Sequence, residues 1–236
     1  SYANEMRKVH QKFGDHLDVC ALFAEALMNR TPWQLWEVNT GEAKKGADTL
    51  EAISVLEAAF LDLDSKGANQ HPGLLHMYIH LMEMSPHPEK ALKAGDALTG
   101  LVPDAGHLQH MATHIDVLCG HYENVVRRNH HAFIADKKYL KLRGADTFYT
   151  AYVCHNLHFK VYGAMFLGQF NPANEAAMEL QKLLTPEIVR ASADWLESYY
   201  PMEFHVYVRF GMWDHIKTIK PPSDSELFCF TTAVLR

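Results

Sequence analysis

The sequence predicts an all-α chain, a solenoid of stacked antiparallel helix pairs with insertions. Three observations lead there. Between its glycines and prolines, apolar residues recur with a period near 3.6 rather than 2. The segments GLLHMYIHLMEMSPHPEKALKAGDALTGLVP and HLQHMATHIDVLCGHYENVVRRNHHAFIADK align without a gap. Their turns, at Pro86 and Gly120, lie 34 residues apart, the length of one two-helix repeat.

Taken in order, residues 3–13 and 16–29 read as helices. The stretch from Thr31 to Lys45, with Trp33, Trp36 and Gly41, keeps no period and reads as a long loop. Helices follow over 48–63, 73–84, 88–100, 105–118, 122–135, 147–166, 172–183, 187–199 and 202–210, with one or two more beyond. Pro88-Glu89-Lys90-Ala91-Leu92 and Tyr122-Glu123-Asn124-Val125-Val126 open the second helices of the aligned pairs, and Pro103 closes the first pair. Gly168-Gln169-Phe170 and Gly211-Met212-Trp213 share one pattern: a glycine, one residue, then an aromatic leading the next helix. Their spacings from the preceding turns, 48 and 43, exceed 34, so insertions interrupt the array. Residues 136–149, DKKYLKLRGADTFY, read as the clearest insertion.

A 34-residue helix pair is the tetratricopeptide unit. One pair has too little surface to bury its own apolar face, so stacking supplies the core and the first helices line a concave groove. The small residue usual at the close crossing is replaced by Ile79, Thr113 or Val161, so the turns and second helices carry the register. The chain reads as a single helical-repeat domain over 1–236. It opens at Ser1 and ends in CFTTAVLR without a glycine or proline stop, the pattern of a fragment of a longer chain.

Sixteen histidines stand out in the composition, and they follow the repeat. Six residues before the turns at Pro86, Gly120, Gly168 and Gly211 lie His80, His114, Tyr162 and His205. Ten before lie His76, His110, His158 and Pro201; thirteen before lie Gly73, His107, His155 and Ser198. Offsets of three and four residues share one helical face. His76, His80, His107, His110, His114, His155 and His158 are therefore expected to converge on the groove. Neutral imidazole is the commonest metal ligand near neutral pH, and an HxxxH pair on a helix is a standard two-point arrangement. The competing reading is a set of hydrogen-bonded histidines in a half-polar interior. His71, before Pro72, reads as a cap. His87 and His121 fall in turns, and at most one of His130 and His131 can face inward. His10, His16 and His215 have no partner at useful spacing.

Among carboxylates, Glu83 follows His80 by three residues, on the same face, whereas Asp116 follows His114 by two and faces elsewhere. Glu25 and Glu203 are weaker candidates. Two histidines with one carboxylate suit non-haem iron; an all-imidazole set suits copper or zinc. Tyr78, Tyr152, Tyr162 and Asn156 are candidates to orient the rings.

The remaining composition narrows the field. A formal charge of −6 argues against a nucleic-acid partner. No apolar run is long enough to span a membrane, and SYANEMRKVH is no signal peptide, so a cytoplasmic protein is expected. Cys20, Cys119, Cys154 and Cys229 form no CxxC pair and read as buried thiols in a reducing compartment. There is no GxSxG, P-loop or GxGxxG motif, and Asp62-Leu63-Asp64 lacks the glycine and glutamate of a calcium loop.

The blocks HPGLLHMYIH, AGHLQHMATHI and HNLHF resemble those of a family of bacterial and fungal tetratricopeptide-like proteins that carry HPGxxHxYIH, AGHxxHMxxHI and HNxHF. The similarity runs from AEALMNRTPWQLW to EFHVYVRFGMWDHI, over most of the chain. It implies the helical-repeat fold within a longer parent and matches His71, His76, His80, His107, His110, His114, His155 and His158. It supplies no activity. Where the family usually has HMPSHI, this chain has HMATHI, without the proline. The expected function is binding of iron, copper or zinc in the groove, extending to metalloenzyme chemistry on a small molecule. The alternatives are a peptide- or protein-binding scaffold and a subunit of a larger assembly or oligomer.

Overall fold

The computed structural model describes residues 1–67 and 70–219. They are mostly helical, with one two-stranded hairpin, as the all-α reading expects. Cys229 and any helix past residue 219 lie outside the described residues. No helix among those described is long and apolar enough to cross a membrane.

The chain divides into two compact units. The first comprises Ser1–Pro103 with His114–Cys119; the second comprises Asp104–Thr113 with the described residues from Gly120 on. The first unit contains α1 (Tyr2–Phe13), α2 (Leu17–Met28), α3 (Thr49–Lys66), α4 (Pro72–Met82) and α5 (Leu92–Leu98). Phe23, Leu27, Leu56, Leu74, Ile79, Leu81 and Leu98 are fully buried in it. Each such side chain contributes about 1.5–3 kcal/mol by leaving water. α4 begins where two start signals coincide. Pro72 takes the first helical position, and His71 Nδ1 accepts the Leu74 N–H at 3.3 Å. The His71 Nε2–H then faces Asp18 Oδ1 at 3.1 Å, so His71 is a cap, as its sequence position suggests.

Helix α6 (Gly106–Leu118) contributes residues to both units. The second unit adds α7 (Tyr122–Arg143), α8 (Tyr149–Phe166), α9 (Phe170–Leu183), α10 (Pro186–Ala191), α11 (Ala193–Leu196), α12 (Met202–Arg209) and α13 (Trp213–Thr218). Its core gathers Phe133, Val153, Leu157, Val161, Leu180, Leu196 and Val206. The glycine turns place the helix starts at Tyr122, Phe170 and Trp213. Gly120, Gly168 and Gly211 adopt φ of 77°, 68° and 66°, which a side chain rarely tolerates. After two of them the chain closes a Schellman motif, with Gln169 N–H donating to Ala164 O at 2.9 Å and Met212 N–H to Tyr207 O at 2.8 Å.

Four expectations need correction. The helix expected to end at residue 135 runs on to Arg143, because Lys, Leu and Arg favour helix and the first breaker is Gly144, at φ 77°. The helix expected over 187–199 breaks at Ser192 (φ −149°, ψ 47°) into α10, α11 and a 3-10 turn over Glu197–Tyr199. The loop from Thr31 to Lys45 holds the hairpin β1 (Trp36–Glu37) and β2 (Glu42–Ala43), pinned by the Trp36 Nε1–H donating to Leu81 O at 2.7 Å. Cys20 and Cys154 are buried free thiols, but Cys119 is only half-buried. A close helix approach lies at Gly163 in α8, where a Cβ would meet Val125 Cγ1 at 2.8 Å.

A buried carboxylate ties the second unit together. Asp136 on α7 is 0% exposed; its Oδ1 accepts the Tyr149 O–H at 2.7 Å and its Oδ2 accepts the Asn156 amide at 2.8 Å. Burial pushes the Asp136 carboxyl up, and the two hydrogen bonds offset only part of that. Asn156 Oδ1 is buried without a hydrogen-bond partner. An Asp136→Asn amide can therefore pair with a flipped Asn156. The variant is expected to match or exceed the wild type in urea unfolding at pH 7, whereas Asp136→Ala costs about 2–4 kcal/mol by orphaning two donors. Because the folded carboxyl titrates above its unfolded value, the ionisation penalty is absent below about pH 3.8 and grows as pH rises through the folded value. The advantage of Asn over Asp should fade on acidification.

Candidate metal centre

In the first unit, His76 and His80 stand one turn apart on α4, both half-buried. Their Nε2 atoms face each other at 3.1 Å. Two nitrogens bound at about 2.1 Å to one ion lie roughly 3.0–3.4 Å apart in octahedral or tetrahedral geometry, so the pair is spaced for a shared cation. Glu83, at the C-terminal end of α4, sits on the other edge of the ring, with its Oε1 3.9 Å from His80 Nδ1. Its Oε2 lies 2.9 Å from His114 Nδ1. The His80 and His114 rings are 6.1 Å apart, centre to centre. Burial alone would raise the Glu83 carboxyl. The neighbouring His114 and His80 outweigh it and hold the group at about 2, so Glu83 is a carboxylate at neutral pH.

In the second unit, His107 and His110 come from the first turns of α6 and His155 from α8. His110 is fully buried, with its ring 4.6 Å from His155 and 6.3 Å from His107. Phe159 packs on His110 at 4.9 Å and on His155 at 4.8 Å, walling that side with carbon. The tautomer of His110 follows from its partners. Asn129 Nδ2 donates to Val125 O at 2.8 Å, which leaves Asn129 Oδ1 as acceptor for the His110 Nδ1–H at 2.7 Å. In the neutral ring the ligating lone pair is then on Nε2, the arrangement that orients metal-binding histidines. Thr113 supports it, its hydroxyl donating to His110 O at 2.7 Å and lying 3.2 Å from Nδ1.

Two groups of three histidines among the described residues bring one ring nitrogen each to within 4.8 Å of one another, close enough to hold a metal ion. His76 and His80 belong to one group, His110 and His155 to the other. His158 lies instead against Tyr199 (5.7 Å) and Tyr162 (6.3 Å). Burial, with the nearby His205, pushes its imidazolium down. His87, His121, His130 and His131 are exposed, and His10 and His215 pack on Phe23 and Tyr207.

Of the residues proposed to orient the rings, Tyr152 meets His107 edge-on at 5.0 Å. Tyr78 donates to Glu57 at 3.1 Å, and burial beside that carboxylate pushes it up to about 12. Asn156 serves Asp136. The residue the sequence reading missed is Asn129. Its signal is a polar side chain inside the apolar stripe of Val125, Ala132 and Phe133 on α7, all of them buried.

The histidine pattern thus has geometric support without any outside likeness: no family model matches the chain, and no curated protein or solved structure matches it either.

Proposed function

We propose that the protein is a tetratricopeptide-type solenoid, of the group its histidine blocks resemble, that binds iron, copper or zinc through histidines of α4, α6 and α8 in its concave groove. The observation that carries the reading is the gathering of histidine nitrogens in two groups of three within 4.8 Å. Imidazole donors suit these ions and not magnesium or calcium. An ion held by three imidazoles keeps a position for water or a small molecule, the requirement for Lewis-acid or oxygen chemistry. A small molecule in that position is the partner the reading implies.

Elemental analysis of protein purified without chelator tests this. A transition metal in stoichiometric amount, removed by chelator and restored by titration, is the expected result. Trace metal only, with no uptake on titration, would leave the histidines as a hydrogen-bonded interior.

A further inference from the structure

We infer that Tyr149 is a redox-active tyrosine: electrons pass inward from Tyr139 at the surface, through Tyr149 and Tyr152, to the histidines of α6 and α8, and Asp136 holds the Tyr149 proton while that ring is oxidised. The inference rests on the metal-binding reading for its oxidant, hydrogen peroxide reduced at an iron or copper ion.

A line of rings leads out from the histidines of the second unit. Centre to centre, His107 lies 5.0 Å from Tyr152, Tyr152 lies 5.9 Å from Tyr149, and Tyr149 lies 4.2 Å from Tyr139. All three steps are within the contact range of aromatic pairs. Tyr139 is 37% exposed, so the line ends at solvent. It runs over α6, α8 and α7 within one compact unit. Electron transfer falls off steeply with distance, and steps between touching rings are short ones.

A phenol that loses an electron becomes a strong acid, so its proton needs a nearby acceptor. The Tyr149 O–H donates to Asp136 Oδ1 at 2.7 Å. Oxidation turns the Tyr149 phenol and the Asp136 carboxylate into a phenoxyl radical and a carboxylic acid, and the electron leaves by way of Tyr152. Tyr139 then reduces the radical, Asp136 returns the proton, and a thiol at the surface restores Tyr139. Two such turns deliver two electrons. With two protons they reduce one hydrogen peroxide to two waters, and two thiols leave as a disulfide.

Asp136 is the right group for this and a poor one for packing. It is fully buried, and burial pushes its carboxyl up. Asp136→Asn is expected to fold at least as well, so stability does not call for an acid there. An amide oxygen accepts the same hydrogen bond but cannot keep the proton; a carboxylate does both.

High-field EPR of iron(II)-loaded protein, mixed with hydrogen peroxide and freeze-quenched, tests the inference. Wild type is expected to show a hydrogen-bonded tyrosyl radical that Tyr149→Phe lacks. Asp136→Asn should form it roughly 100-fold more slowly, and Tyr139→Phe should prolong its life in the presence of thiol. An unchanged signal in Tyr149→Phe, or an unchanged rate in Asp136→Asn, overturns the inference. So does uptake of zinc without uptake of iron or copper, which leaves the metal-binding reading standing. If the protein takes up no metal at all, that reading fails. Flash photo-oxidation of the metal-free protein by tris(bipyridine)ruthenium(III) then still decides whether Tyr149 is the oxidised ring and Asp136 its proton acceptor. Radicals found only on other residues overturn the assignment. Should Tyr149→Phe not fold, fluorotyrosine in place of Tyr149 keeps the ring and its O–H. A radical without fluorine coupling would then be the overturning result.

Discussion

Replacing His80 by alanine is expected to weaken metal binding on the order of 100-fold while leaving the metal-free protein folded. A four-ligand zinc site provides about 10–16 kcal/mol, so one ligand accounts for roughly 3 kcal/mol. His80 suits this test because its side chain is 31% exposed, whereas His110 is fully buried. The unfolding midpoint of the metal-free variant should move by no more than about 1 kcal/mol in stability. His110→Ala is a poorer probe, since that ring is fully buried and its loss also orphans the Asn129 acceptor. Competition titrations with His131→Ala as a control, an exposed ring, separate ligand loss from a general loss of histidine. Equal affinities for His80→Ala and wild type would remove His80 from the metal centre.

Gly106→Ala is expected to cost about 3 kcal/mol or more, at the upper end of overpacking effects. A Cβ there would stand 1.8 Å from Asp136 Oδ1, 2.7 Å from its Cγ and 3.0 Å from Ala132 O. None of these yields easily. The carboxylate is held by Tyr149 and Asn156, and the carbonyl is backbone. The start of α6 must shift instead, and His107 is the next residue, so zinc affinity should fall together with stability. Gly100→Ala is the control: nothing lies within 4 Å, and only its φ of 79° opposes a side chain, which costs about 1 kcal/mol. Denaturant melts of both variants settle the comparison. Placing Gly106→Ala in an Asp136→Ala background should recover much of the loss, because the two changes share one contact.

Much of the helix pattern was legible because glycine acts locally. Gly120, Gly168 and Gly211 mark turns by conformations other residues avoid, so the starts at Tyr122, Phe170 and Trp213 could be placed from three letters each. The extension of α7 to Arg143 was hidden by its polar composition, although half-buried Leu140 continues the face set by Phe133 and Asp136. The pairing of His76 with His80 was legible for the same local reason, one helical turn. The role of Asn129 was not, since it meets His110 across 19 residues of sequence. His158 shows the limit of face arguments. Three residues from His155 on α8, it turns toward Tyr199 and Tyr162.

The hairpin carries one more consequence. Trp36 hangs its indole N–H on the carbonyl of Leu81, the residue after His80. The chain has four tryptophans, and the other three, Trp33, Trp195 and Trp213, are 79%, 64% and 56% exposed. Trp36 is the half-buried one, and its emission belongs at the blue edge of the spectrum. A paramagnetic ion such as copper(II) arriving at His80 quenches that edge first. The fold thus has its own fluorophore beside the α4 histidines, and filling of that end can be followed as light without a label.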